Sequence, residues 1–286
     1  MTFTEHCVTF PCAGEQLLGI AAAPERPQKT GVLIVVGGPQ YRVGSHRQFL
    51  LISRALAEAG YPTMRFDFRG MGVSTGELRD FEGVNEDVGA AIDVFQAHCL
   101  QLERIVLWGL CDAATASLLY WDLTRDARVG GQVLLNPWVR SEATLARTHI
   151  RHYYGQRLLQ AEFWHKLLRG KLGIRRALQG LATSWLRARK PSSDASADAT
   201  LPFQKRMMRA LEGFPGPTLL ILSSDDYTAK EFLEACQADA QATRALAATQ
   251  LKRVDVPGAD HTFSSRDLRQ AVEAATLAWL KQSAVP

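Results

Sequence analysis

The sequence has no apolar run approaching the roughly 18 residues that a membrane span needs, and residues 1–11 show no basic start followed by an apolar stretch. Neither a spanning helix nor a secretory leader is therefore expected. Cysteine is scarce and unpaired. The five residues, Cys7, Cys12, Cys99, Cys111 and Cys236, are odd in number and widely scattered, which excludes a disulfide framework and the paired spacing of a zinc site. A reducing, cytoplasmic setting is expected. No motif for a metal or an organic cofactor is visible, so the expected cofactor complement is none. No recognition motif for nucleic acid accompanies the basic residues either.

What remains is a 286-residue chain, 47% hydrophobic, long enough to bury a full core without staples. Its net charge of +4 hides an uneven distribution. Residues 140–209 carry 15 Lys and Arg against 4 Asp and Glu, a balance of +11, which leaves −7 for the rest. Such a stretch reads either as solvated helical faces or as a surface that meets an anionic partner.

The hydrophobic pattern sets the order of elements. Residues 6–10 and 16–22 alternate and read as an antiparallel hairpin. A continuous β-branched run, 32–36, follows between glycines, as expected for a strand buried on both faces. Helix 46–59, strand 63–67, helix 84–98, strand 104–108, helix 112–123 and strand 131–135 then alternate, which implies right-handed crossovers onto one parallel sheet. The rhythm breaks at Asn136. Between there and Phe214 no strand-like run occurs, and Phe163, Leu167, Ile174, Leu178, Leu181 and Trp185 mark amphipathic helices. Residues 191–200, rich in Ser, Ala and Asp, read as loop. Strands 218–222 and 251–256 and a closing helix, 265–281, complete the chain. The expected division is a core of 1–139 with 214–286, and an inserted helical, basic segment of 140–213.

The stretch most informative about chemistry runs from a buried strand through Gly109-Leu110-Cys111-Asp112-Ala113 into a helix. A tight turn of this kind holds its central residue in strained backbone and needs small neighbours two positions to each side, here Gly109 and Ala113. It also sets Cys111 at a helix N-terminus, where the dipole and free N–H groups favour a thiolate. Taken alone, Cys111 fits a buried structural cysteine equally well. Its partners change that balance. His261 follows the last strand, at the sheet end where reactive groups converge, whereas the other six histidines sit in expected helices, in the insertion or far upstream. Asp225 and Asp226 both follow strand 218–222; Asp226 is preferred as the acid, with Asp225 left to solvate the turn or cap the next helix. For an oxyanion, the expected donors are the N–H of Asp112 and that of Gly38, since Pro39 has none. Gln40, Arg42 and His46 are expected at the entrance, with Gln40, Arg42 and Trp164 as substrate contacts. Asp67 to Ser74 is assigned no chemistry, and Arg69 is expected to pair within that loop.

Gly37-Gly38-Pro39, Asp67-Phe68-Arg69-Gly70-Met71-Gly72-Val73-Ser74 and Gly109-Leu110-Cys111-Asp112-Ala113, in this order over nearly the whole chain, resemble the α/β-hydrolase superfamily. More narrowly, the elbow together with Ser223-Ser224-Asp225-Asp226-Tyr227-Thr228-Ala229-Lys230-Glu231-Phe232 is similar to the type 1 hydrolases associated with bacterial exosortase A systems. The resemblance implies an α/β-hydrolase fold, a mostly parallel central sheet with helices on both faces, and makes the inserted segment a lid over the site. It implies a Cys111–His261–Asp226 triad and a neighbourhood of exopolysaccharide synthesis, with no established substrate. Two departures stand out: cysteine replaces the usual serine, and Val36 stands where histidine is frequent.

The expected function is an acyl hydrolase for esters, thioesters or lactones. A small-molecule or carrier-bound acyl substrate is the expected partner, anionic if the basic lid meets it, with peripheral membrane contact as the other use of that charge. Two other readings stay open: an acyltransferase with the same triad, separable by product analysis with added alcohols, and a noncatalytic member of an export assembly, against which a complete triad argues.

Overall fold

The structure, a computed structural model, describes residues 2–38, 40–140 and 201–283. It opens with a hairpin of β1 (Phe3–Cys12) and β2 (Glu15–Pro24), paired antiparallel along their full length. The connection, Ala13-Gly14, has positive φ at both positions, 48° and 85°, the turn whose twist matches that of two antiparallel strands. Six strands follow: β3 (Thr30–Val35), β4 (Thr63–Phe66), β5 (Arg104–Leu110), β6 (Val129–Leu135), β7 (Thr218–Ser223) and β8 (Leu251–Val256). They join the hairpin in one eight-stranded sheet of order β1-β2-β4-β3-β5-β6-β7-β8. β2 meets β4 antiparallel, and every pairing from β4 to β8 is parallel. This is the α/β-hydrolase fold. β3 to β7 are buried almost throughout, which is why their sequences read as unbroken apolar runs, while β8 closes the sheet with Lys252, Arg253 and Asp255 exposed on its edge.

The helices are α1 (Gln48–Glu58), α2 (Asn85–His98), α3 (Asp112–Thr124), α4 (Phe203–Gly213), α5 (Tyr227–Gln237), α6 (Ala240–Leu246) and α7 (Arg266–Gln282) among the described residues. α1 starts two residues later than its apolar spacing predicts, because His46 and Arg47 take left-handed backbone, φ 53° and 62°. Its Phe49 lies edge-on to Trp108 of β5 at 5.9 Å, fixing helix to sheet.

The core boundary falls earlier than expected on the return from the insertion. Met1–Val139 and Pro202–Pro286 form one compact unit, so α4, expected in the inserted segment, belongs to the core. Phe203, Met207, Met208, Ala210 and Leu211 of α4 are buried, and Phe214 just after it stacks edge-on against Trp121 of α3 at 5.1 Å. The basic residues of α4 also answer core acids. Arg209 bonds both carboxylate oxygens of Asp122, at 2.9 and 2.7 Å, and Lys205 reaches Asp239 at 2.6 Å. Their charge was counted with a basic lid but is spent inside the core. The expected lid helices fall within residues 141–200, outside the described residues.

Arg69 departs from expectation in its partner. Its side chain, 3% exposed, crosses to α2 and grips Asp87, with Nη2 2.7 Å from one carboxylate oxygen, while its backbone N donates to the other at 2.8 Å. Asp87 is fully buried. The loop after β4 closes on itself through bonds such as Ser74 Oγ to Asp67 O at 2.9 Å, and Arg69 pins it to α2.

Candidate active site

Four loops converge at the carboxyl ends of β3, β5, β7 and β8, the end of a parallel sheet where ligands meet the fold. β5 leads directly into α3 through Cys111, whose backbone sits at φ 62°, ψ −123°. For a residue with a Cβ this costs on the order of 1–3 kcal/mol and persists only where the surroundings over-determine it. They do so here by backbone bonds on both sides: Cys111 N donates to Leu135 O at 2.8 Å, and Cys111 O accepts from Ala114 N at 3.1 Å and Trp138 N at 3.2 Å. The turn is tight enough to demand glycine before it, because a Cβ on Gly109 would lie 2.6 Å from the carbonyl carbon of Ala113. Cys111 is partly exposed, whereas Cys12, Cys99 and Cys236 are buried. Burial pushes the thiols of those three up, that of Cys236 to about 12, which leaves them unreactive at neutral pH.

Of the two aspartates after β7, Asp225 is exposed and Asp226 is buried. Asp226 caps α5, accepting from Thr228 N at 3.1 Å and Ala229 N at 3.3 Å. The same carboxylate accepts from Nδ1 of His261 at 2.8 Å. Burial alone would raise the Asp226 carboxyl, but the bond to His261 and its charge, with the two cap N–H groups, outweigh that and hold it below the ordinary carboxylate value. His261 moves the other way. Its hydrogen bond to Asp226 and then that to Cys111 push the ring up to about 10, against the opposing pull of burial. The thiol, the ring and the carboxylate therefore stand as a contiguous row, in the chain order read from the sequence.

Residues that sequence reasoning missed hold this row in place. Asn136, just past β6, is fully buried and takes left-handed backbone at φ 42°. Its amide nitrogen donates to Ser223 Oγ at 2.8 Å and to His261 O at 3.1 Å, and its Oδ1 accepts from Ser223 N at 2.8 Å. Ser223 in turn donates to Asp260 O at 2.8 Å. One asparagine thereby ties the ends of β6 and β7 to the histidine loop. The readable signal was an asparagine directly after a buried strand, a residue type that tolerates positive φ.

The loop after β3 lies against the start of α3. A Cβ on Gly37 would lie 2.0 Å from Oδ1 of Asp112, so only glycine fits. Gly38, at φ 61°, donates its N–H to Oδ2 of Asp112 at 2.7 Å. The expected oxyanion donor thus already has an acceptor. Burial raises the Asp112 carboxyl, offset in part by N–H donors from Gly38, Ala113 and Asp112 itself. Beside these residues is a cavity of about 190 Å³, walled by Phe68, Met71, Leu78 and Phe81 as well as by Gly38 and Asp112.

Two expected substrate contacts point elsewhere. Gln40 Oε1 accepts from Ser45 N at 3.0 Å, closing its own loop. Arg42 is committed to the fully buried Asp67, through its guanidinium and through its backbone N at 2.6 Å. Withdrawing that guanidinium would leave a buried carboxylate unpaired, which is costly. Trp164 lies outside the described residues, as does Pro39. No group of three or more His, Cys, Asp or Glu among the described residues is placed to hold a metal ion, and no described helix is long and apolar enough to cross a membrane.

The alpha/beta hydrolase family profile matches residues 32–275, and the chain belongs to that family. No curated protein matches the sequence. Among solved structures, the chain is similar to the Pyrococcus furiosus esterase Pf2001 at TM-score 0.65 and 15% identity, over 98% of this chain and 92% of that one. The alpha/beta hydrolase GrgF from Penicillium sp. sh18 gives 0.63 and 17%, over 98% and 99%. Est1E from Butyrivibrio proteoclasticus, solved with ferulic acid bound, gives 0.60 and 17%, over 96% and 98%. At these identities the likeness is one of fold.

Proposed function

We propose that the protein is an acyl hydrolase for esters, thioesters or lactones, with Cys111 as nucleophile, His261 as proton carrier and Asp226 as the group that orients and charges the ring. The observation that carries this is His261 held between Asp226, at 2.8 Å, and Cys111. A ring kept protonated to about pH 10 is an acid at neutral pH. Cys111 is the nucleophile beside it, and His261 carries the proton among thiol, leaving group and water. Cys111 Sγ attacks the substrate carbonyl carbon; the carbonyl π pair becomes an oxyanion near Gly38 and Asp112. Collapse expels the alcohol or thiol, which takes its proton from His261, and leaves an acyl-enzyme. The now neutral ring removes a proton from water as the water attacks, and collapse returns the acid and the free Cys111–His261 pair with its one shared proton.

The Gly-Leu-Cys-Asp-Ala elbow and the segment 223–232 support the narrower place in a bacterial exopolysaccharide or exosortase system, and residues 140–201, with 12 Lys and Arg against 4 Asp and Glu, support an anionic or carrier-bound acyl substrate. The test combines iodoacetamide labelling, read by mass spectrometry, with turnover of a panel of esters and thioesters. Cys111 is expected to label well ahead of the exposed Cys7, and Cys111→Ala to abolish turnover. Equal labelling of the two thiols, together with turnover retained in Cys111→Ala, overturns the proposal.

A further inference from the structure

Acyl transfer as proposed above needs backbone N–H groups ready to receive the carbonyl oxygen as it becomes an oxyanion. In this site a carboxylate already holds one of them. Gly38 N donates to Asp112 Oδ2 at 2.7 Å. The fit is close: Asp112 Oδ1 occupies the space that a Cβ on Gly37 would enter, 2.0 Å away. Asp112 is also an acid that the proposed reaction leaves without a task.

Two anions cannot share that donor. A second unit negative charge a few Å away repels strongly in a partly desolvated site, and each N–H has a single proton to give. Room for the carboxylate to leave exists, because Asp112 is itself a wall of the cavity of about 190 Å³ that adjoins Gly38. We propose that Asp112 is the gate of this site: at rest its carboxylate fills the oxyanion pocket, and it must withdraw toward the adjoining cavity before an acyl substrate reacts. This rests on the reading of Cys111 as an acylated nucleophile. Its consequence is selectivity. The cost of displacing Asp112 is met from substrate binding, so small, weakly anchored esters turn over slowly, and substrates that bind over a larger surface do not.

The test separates acylation from simple alkylation, because iodoacetamide reacts at Cys111 without forming an oxyanion. Acylation by p-nitrophenyl acetate, followed by p-nitrophenolate release, is compared with iodoacetamide labelling of Cys111 in the wild-type protein, Asp112→Ala and Asp112→Asn. For Asp112→Ala, acylation is expected to rise by about tenfold or more, since the charge-assisted bond to Gly38 N no longer has to break, while alkylation changes by less than about threefold. Asp112→Asn, uncharged yet still an acceptor for Gly38, is expected to gain less, about threefold. If the alanine variant loses its thermal transition, the asparagine variant alone decides. Acylation that stays level or falls overturns the gate, and so does an equal rise in acylation and alkylation, which marks a change in the thiol instead. Failure of the underlying acyl-enzyme reading looks different: wild-type Cys111 then labels no faster than Cys7, and Cys111→Ala still turns over.

Discussion

Replacing Asp226 by asparagine separates two tasks that one carboxylate performs. As a cap, asparagine is nearly as good as aspartate, so Thr228 N and Ala229 N keep an acceptor and α5 keeps its first turn. As a partner for His261 it loses the charge. The ring rises from its ordinary 6.5 to about 10, and the bond to Asp226 is the largest cause. That span of about 3.5 units corresponds at full value to about 5 kcal/mol. The His261 side chain is 35% exposed, so water screens part of it, and about 2 kcal/mol is the share expected to be felt. Because the folded value is raised, this stabilisation is fully present below about pH 6.5 and is lost as pH rises through about 10. Asp226→Asn is therefore expected to lower kcat/KM by about 10- to 100-fold. It should also move the alkaline limb of the pH–rate profile down from near 10 by at least about one unit, with a melting curve at pH 9 close to that of the wild type. The assay is kcat/KM for a chromogenic thioester between pH 5 and 10.5. An unmoved alkaline limb with kcat/KM within about twofold of wild type makes Asp226 a helix cap and nothing more.

Gly109→Ala drives a methyl group to within 2.6 Å of Ala113 C and 2.7 Å of Ala113 O. It is expected to cost about 1–3 kcal/mol in urea unfolding and to reduce turnover sharply, since the displaced backbone carries Cys111. Asn136→Ala removes three bonds among β6, β7 and the histidine loop. About 2–3 kcal/mol of stability is expected to go in the same assay, with kcat falling more than KM rises, as for a positioning residue. Arg69→Ala leaves the buried Asp87 carboxylate without its guanidinium and is expected to cost about 3–5 kcal/mol, readable as a fall in the denaturant midpoint with iodoacetamide labelling of Cys111 unaltered under native conditions.

Periodicity located the strands well wherever burial decides residue type. Strand 251–256 agrees with β8 residue for residue, and β3 to β7 differ only at their ends. The hairpin extends further than its alternation shows, because β1 and β2 continue pairing out to Phe3 and Pro24, held by backbone bonds that leave no mark on side-chain pattern. The relative order of Cys111, Asp226 and His261 was legible because each follows a strand, and topology sends those strand ends to one place. Direction was not legible. Gln40 and Arg42 had the right chemistry for an entrance, yet the backbone N of Ser45 and the buried Asp67 hold their side chains instead. Asp112 was read for its backbone N–H alone, whereas its side chain accepts the N–H of Gly38. Residues 203–213 were placed in the insertion because no strand-like run lies between Asn136 and Phe214, and a missing strand does not tell which helix packs on the core.

The Asn136 tie has a consequence for how such a chain changes over time. Its anchors, Asn136, Ser223 and the carbonyl groups of Asp260 and His261, lie wholly within Met1–Val139 and Pro202–Pro286. The spacing of thiol, imidazole and carboxylate thus rests on residues that lie before Val139 and after Pro202. Sequence spliced between those points can be shortened or exchanged without altering the residues and bonds that hold the reacting groups in place.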